Sequence, residues 1–321
     1  TTLRGTATSM LALTAALGVG AGLGGGAKII ADFSQAMSTL QAITQGTTEE
    51  MVALRAVANE LGATTRFSAT QAADAMTELA RAGFTVTQVL AAIGPTLSAA
   101  QAGGAGIAET AAIIGASIGG FGLQATDAAR IADVLAQAAN GSAAGILDLG
   151  EALKFAAPTA KQLGLDLEET VAIIGKLSDG GITGGLAGRG FQSLATQLVN
   201  EKDKITDLIG AYDLAEEGLG SVLARLRQAG ITTAQIIEIF RAENLDTFGI
   251  LSDAALNGNL EKLNGLLDDA AGSSARAAKI MDDNLNGAIL NASSAFEELI
   301  LAIADAGIED GLRDAFVGLS G

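Results

Sequence analysis

A short helical unit that opens on a capping residue and closes on glycine recurs down this chain, and it limits the fold more than any other feature. Residues 61–85 read LGATTRFSATQAADAMTELARAGFT. Ser68 and Gln71 form S-x-x-Q, in which the hydroxyl accepts from a free backbone N–H and the glutamine reaches back. Ala72, Ala75, Met76, Leu79 and Ala80 then fall on one helical face. Gly83 supplies the left-handed residue that ends such a helix, and Thr85 is placed to cap the next. The opening recurs at Thr47–Glu50, Gly106–Glu109, Gln124–Asp127, Asp166–Glu169 and Thr232–Gln235; the stop recurs at Gly62, Gly141 and Gly180. Residues 109–115 and 169–175 are nearly the same text, ETAAIIG and ETVAIIG. Helices of about 12–14 residues are marginal alone and become stable by packing their Ala/Ile/Leu stripes together. The expectation is an all-α fold, an array of short antiparallel helices. The spacing is too irregular for a fixed-period solenoid.

Composition sharpens this. There are 2 prolines against 42 glycines, so glycine does the punctuating. Ten Phe, one Tyr and no Trp leave Ala, Leu and Ile as the core material, which favours close helix packing. Three parts are expected: residues 1–28, apolar and Gly-rich; 29–200, a compact helical core; and 201–321, a helical C-terminal part. Gly5–Ala27 carries no charge between Arg4 and Lys28. It is long enough to cross a bilayer, or it is a flexible linker. Asn200–Ala229 reads as polar, charged and helical. Over 279–305, Met281, Leu285, Ala288, Ala292, Phe296, Leu299 and Ile303 form a near-heptad stripe. That stripe predicts a longer closing amphipathic helix that pairs with another helix, in this chain or in another copy.

Charge and chemistry exclude several functions. A net charge of −17 argues against specific nucleic-acid binding. The chain has no Cys and no His, so it lacks thiolates, Cys-based zinc sites and the commonest general base. Paired carboxylates remain: Glu49–Glu50, Glu168–Glu169, Asp268–Asp269 and Asp282–Asp283. Adjacent residues on a helix do not converge on one point, and these pairs read as caps and polar faces. Gly180–Gly190 lacks the G-x-x-x-x-G-K-[ST] order of a phosphate loop. The expectation is a protein that is not an enzyme, with no catalytic residue, no cofactor and no metal ligand.

Several stretches, in order, resemble the core region of phage tail tape measure proteins. They are IIADFSQAMSTLQAITQGTTEEM (29–51), the 61–85 stretch quoted above, residues 147–198 and MDDNLNGAILNASSAFEELILAIADAG (281–307). In the third, Gly180-Gly181-Ile182 and the small-residue run Gly184–Gly190 take the place of the family's glycine-rich linker into a helix, with Ala187-Gly188-Arg189 where the family commonly shows A-G-T. Past the fourth, Glu309-Asp310-Gly311 stands where the family often continues with a proline-containing helix. The resemblance implies a structural virion protein of the tail lumen or tip. It implies a role in setting tail length and ejection ahead of DNA, reaching the host cell envelope. The implied partners are other copies of itself, tail tube proteins and tail-tip (distal tail or hub) proteins. Contact with the host membrane would run through residues 5–27. The competing reading is a membrane-inserting channel or pore-forming helical protein built from residues 5–27, 115–122 and 285–304.

Overall fold

A computed structural model describes residues 23–283 and 285–304. Residues 5–22 of the apolar Gly5–Ala27 stretch, and Glu309-Asp310-Gly311, lie outside the described residues. The fold is all-α: the described residues hold sixteen α-helices, two 3-10 turns and no strand.

Contacts divide the described chain into two compact units. One comprises the described residues up to Ala80 together with those from Asp282 on; the other is Arg81–Met281. The first unit holds α1 (Leu23–Thr44), α2 (Thr48–Thr64), α3 (Ala69–Arg81, but for its last residue) and α16 (Leu285–Ile303). Here α16 packs along α2 and touches α1, over a core that includes Phe33, Leu40, Leu54, Ile300 and Leu301.

The second unit runs through α4 (Val86–Ala102), α5 (Ile107–Phe121), α6 (Ala128–Gly141), α7 (Ile146–Leu163), α8 (Leu167–Asp179) and α9 (Gly184–Asn200). It continues through α10 (Lys202–Ile209), α11 (Leu214–Gln228), α12 (Thr233–Phe240), α13 (Leu245–Leu256), α14 (Asn259–Asp268) and α15 (Ser273–Asp282). At its centre, α8 touches α6, α7, α9, α13 and α14. That explains why the twin texts behave differently. On α8, Val171, Ala172, Ile173 and Ile174 are all fully buried, whereas on α5 the same stretch keeps Ala112 exposed.

Four of the caps form in full, Gln124/Asp127 and Asp166/Glu169 form one bond each, and Gly106 makes no side-chain cap bond. Ser68 N–H donates to Gln71 Oε1 at 2.9 Å and Gln71 N–H to Ser68 Oγ at 3.2 Å. Reciprocal pairs also form at Thr47/Glu50, Thr85/Gln88 and Thr232/Gln235. Gly83 takes φ +94° just beyond α3.

Elsewhere packing overrides local signals. Gly62 does not stop its helix: α2 continues to Thr64. Gly62 is buried there, and a Cβ on it would stand 2.7 Å from the Ala69 nitrogen, so it marks close approach of two backbones. Of the glycine-rich stretch, Gly180-Gly181-Ile182 is the connection after α8, while Gly184–Gly190 forms the first turns of α9. There a Cβ on Gly188 would sit 2.8 Å from Ala152 Cα on α7. Asn200–Ala229 is broken into α10 and α11, with a further non-helical residue at Gly218. The stripe over 279–305 is broken as well, because α15 ends at Asp282 and α16 starts at Leu285. On α16 the buried positions include Gly287, Ser294, Ile300 and Leu301, while Ala288, Ala292 and Leu299 of the stripe are exposed. A helix with two apolar stripes cannot be phased from periodicity alone; its neighbour selects the stripe. No single helix among the described residues is long and apolar enough to cross a membrane. Only α4 and α5 together reach that length and composition, as a pair bent by 118°.

Candidate functional site

Arg130, Asp166, Glu168, Glu169 and Asp268 of the second unit meet around the first turn of α8. Asp166 caps it, accepting from Glu169 N–H at 2.8 Å. The next two carboxylates then diverge. Glu168 is 4% exposed and accepts from Arg130 of α6 through Nε at 2.7 Å and through Nη2, a bidentate ion pair. The hydrogen bond to Glu168 raises the Arg130 pKa above its ordinary value, against the opposing effect of burial. Glu169 turns instead toward α11 and accepts from Leu219 N–H at 2.7 Å. Burial pushes the Glu169 carboxyl up, and the backbone N–H groups of Leu219 and Gly220 hold it back. Asp268, at the end of α14, is raised first by burial and then by Asp166, Glu168 and Asp269, with Arg130 easing the effect.

Further carboxylates work at long range in the same unit. Asp133 on α6 caps α15, accepting from Gly272 N–H at 2.7 Å, Ser274 N–H at 3.0 Å and Ser274 Oγ at 2.5 Å. Asp179 accepts from Ala143 N–H at 2.8 Å. Gln101 on α4 donates to the Ala278 carbonyl of α15 at 2.9 Å. A carboxylate facing backbone N–H groups does at a distance what a local N-cap does, with added strength from its charge.

The four carboxylate pairs singled out in the sequence separate in function. Glu50 closes the Thr47 cap. Glu168 and Glu169 diverge, and Asp268–Asp269 comes within electrostatic range of Glu168. Asp282–Asp283 stands at the break before α16. This arrangement binds helix to helix: the acceptor oxygens of Glu168 and Glu169 are engaged by protein N–H groups. Among the described residues no group of three or more acidic side chains is placed to hold a metal ion. Sequence reasoning missed Arg130, Asp133 and Asp179 because their partners lie 36 to 141 residues away, with no local spacing to betray them.

The first unit has an open groove of about 480 Å³. Its lining includes Asp32, Arg66, Ser68, Leu290, Ser294 and Glu297. Burial raises the Glu297 carboxyl, and a hydrogen bond with Ser68 opposes this.

Glu169, Asp268 and Glu297 all stand above their ordinary values when folded. The folded chain therefore holds more protons than the unfolded chain in the window above about pH 4.5, and stability from these groups grows as pH falls through it. It is fully present below the unfolded value and lost as pH rises past the raised ones. Thermal unfolding followed by circular dichroism should give a higher Tm at pH 5 than at pH 7. Glu169→Gln should flatten that slope; a Tm that falls on acidification would contradict the assignment.

Compared with known proteins, residues 55–218 match the model of a family described as phage-related minor tail protein. A "Tape measure protein" of Pneumococcus phage Dp-1 is 33% identical over 289 residues, which are 86% of this chain and 25% of that protein. A "Probable tape measure protein" of Escherichia phage P2 is 34% identical over 310 residues, 89% of this chain and 38% of that protein. The chain thus spans between a quarter and two fifths of the length of these relatives. No solved structure matches.

Proposed function

We infer the function of this chain from one premise: it belongs to the phage-related minor tail protein family. Its role is structural. It is a folded region of a tape measure protein, carried in the virion at the lumen or tip of the tail and assembled there with other copies of itself and with tail tube and tail-tip proteins. The observation that carries this is the match to two tape measure proteins along most of the chain.

The fold limits which part of that work falls to this region. As one straight helix, 321 residues would reach about 480 Å at 1.5 Å per residue. Among the described residues the longest helix, α1, has 22. A region broken into helices this short does not span the tail as one rod, and the length-setting part of the protein lies elsewhere in the full chain. Its acidity suits passage ahead of DNA, because a net charge of −17 repels a polyanion instead of sticking to it.

An in-frame deletion of residues 81–281 in a phage carrying this protein tests the reading. The expected result is loss of functional tails or tails of unchanged length. Intact tails uniformly shorter by about 300 Å, the helical span of the deleted residues, would assign the ruler to this region and overturn it.

A further inference from the structure

The segment from Lys202 to Ala229 carries a pattern that its folded form does not use. Within the second unit it is broken twice, at Gly210 (φ +78°, ψ 179°) and Gly218 (φ +75°, ψ 155°). Side chains hold both breaks. Arg225 donates through Nη2 to the Ile209 carbonyl at 2.5 Å and the Ala211 carbonyl at 3.2 Å, and through Nη1 to Glu217 Oε2 at 2.6 Å. Tyr212 donates its hydroxyl to the Leu198 carbonyl. Glu169, 50 residues back, accepts from Leu219 N–H just past the second break.

Across both breaks the apolar register is unbroken. Ile205, Leu208, Tyr212, Ala215, Leu219, Val222, Leu226 and Ala229 step by 3, 4, 3, 4, 3, 4 and 3. Such steps are ordinary inside one helical piece. Nothing in a chain bent at two positive-φ glycines requires the phase to carry over, whereas a single continuous helix with a heptad seam requires it. Gly210, Gly218 and Gly220 all lie off that seam. Leu214 and Leu223 also lie off it, and both are buried in the broken form, at 8% and 0% exposure.

We propose that residues 202–229 form a two-state segment. In the form described here it is pinned in three pieces by Glu169, Arg225 and Tyr212. Released, it zips into one helix about 40 Å long, whose seam pairs with the same segment of a second copy of the chain. The second copy is required by energetics. Straightening gives up buried positions such as Ile205, Tyr212 and Leu219, and Gly210 and Gly218 each cost about 1 kcal/mol once drawn into a helix. A lone helix recovers neither, but a paired seam of identical residues reburies the apolar positions. This inference rests on geometry and register and does not depend on where in the tail the chain works.

The absence of cysteine makes the test direct. Asp203→Cys and Gln228→Cys place two spin labels at exposed positions, about 38 Å apart in a continuous helix. Distances are measured in the full chain alone, in G210A/G218A, which disfavours both positive-φ conformations, and in Glu169→Gln, which weakens one pin without changing its shape. G210A/G218A should show a dominant population near ~38 Å that the parent lacks, and should sediment as a dimer. Glu169→Gln should show a smaller share of the same population. Parent-like distances in a folded monomer for both variants would overturn the proposal. So would loss of helical content in either variant with no ~38 Å population.

Discussion

Gly188→Val should unfold the second unit, or destabilise it by on the order of 3 kcal/mol or more. The α7–α9 contact is built on that glycine: an added Cβ lands 2.8 Å from Ala152 Cα, closer than real Cβ atoms approach. The obstacle is backbone on a neighbouring helix, so no rotamer change relieves it and the helices must separate. The layer that would part contains Phe191, Leu194 and Leu153, all fully or almost fully buried. Denaturant midpoints by circular dichroism measure the effect. Gly119→Ala is the control, because it sits inside α5 with nothing within 4 Å of a new Cβ. It should leave stability unchanged or raise it by about 0.5–1 kcal/mol through helix propensity. Equal losses at both positions would mean that glycine content, not close approach, governs this fold.

Arg130→Met should cost about 2–3 kcal/mol, below the ~3–5 kcal/mol of a fully buried pair because the Arg130 side chain is 45% exposed. The loss arises from what stays behind. Glu168, at 4% exposure, keeps a charge with its bidentate partner gone. Replacing both partners, as Arg130→Met with Glu168→Leu, should recover most of the stability, since an apolar pair carries no desolvation penalty. A double variant no better than the single one would show that the pair contributes packing and not charge neutralisation.

The sequence displayed those parts of the fold that are settled within one helical turn. The Thr47/Glu50, Ser68/Gln71, Thr85/Gln88 and Thr232/Gln235 caps depend on residues three apart, and each forms. Gly83 ends its unit for the same local reason. Gly62 and Gly188 look identical to stop signals in the text, yet both lie inside helices. What decides their role is a backbone arriving from another element, which spacing does not encode. The breaks at Gly210 and Gly218 were hidden likewise, because Glu169 and Arg225 hold them from 50 and 16 residues away in the sequence. Of the charged centre, only the Asp166 cap was readable. Arg130 and Asp133 act on groups 38 and 139 or more residues away, and neither belongs to a local motif.

The first unit is discontinuous in sequence, with the whole of Arg81–Met281 between its two parts. On the ribosome, α2 therefore emerges long before α16, the helix that covers it. At about 5–20 residues per second, the roughly 220 intervening residues take some 10–45 s to make. For that time the inner faces of α1 and α2 are exposed in a crowded cell, while the second unit has its full sequence available for folding earlier. Synthesis order thus favours completing the inserted unit first, and makes closure of the outer one the step most open to aggregation or to capture by a chaperone.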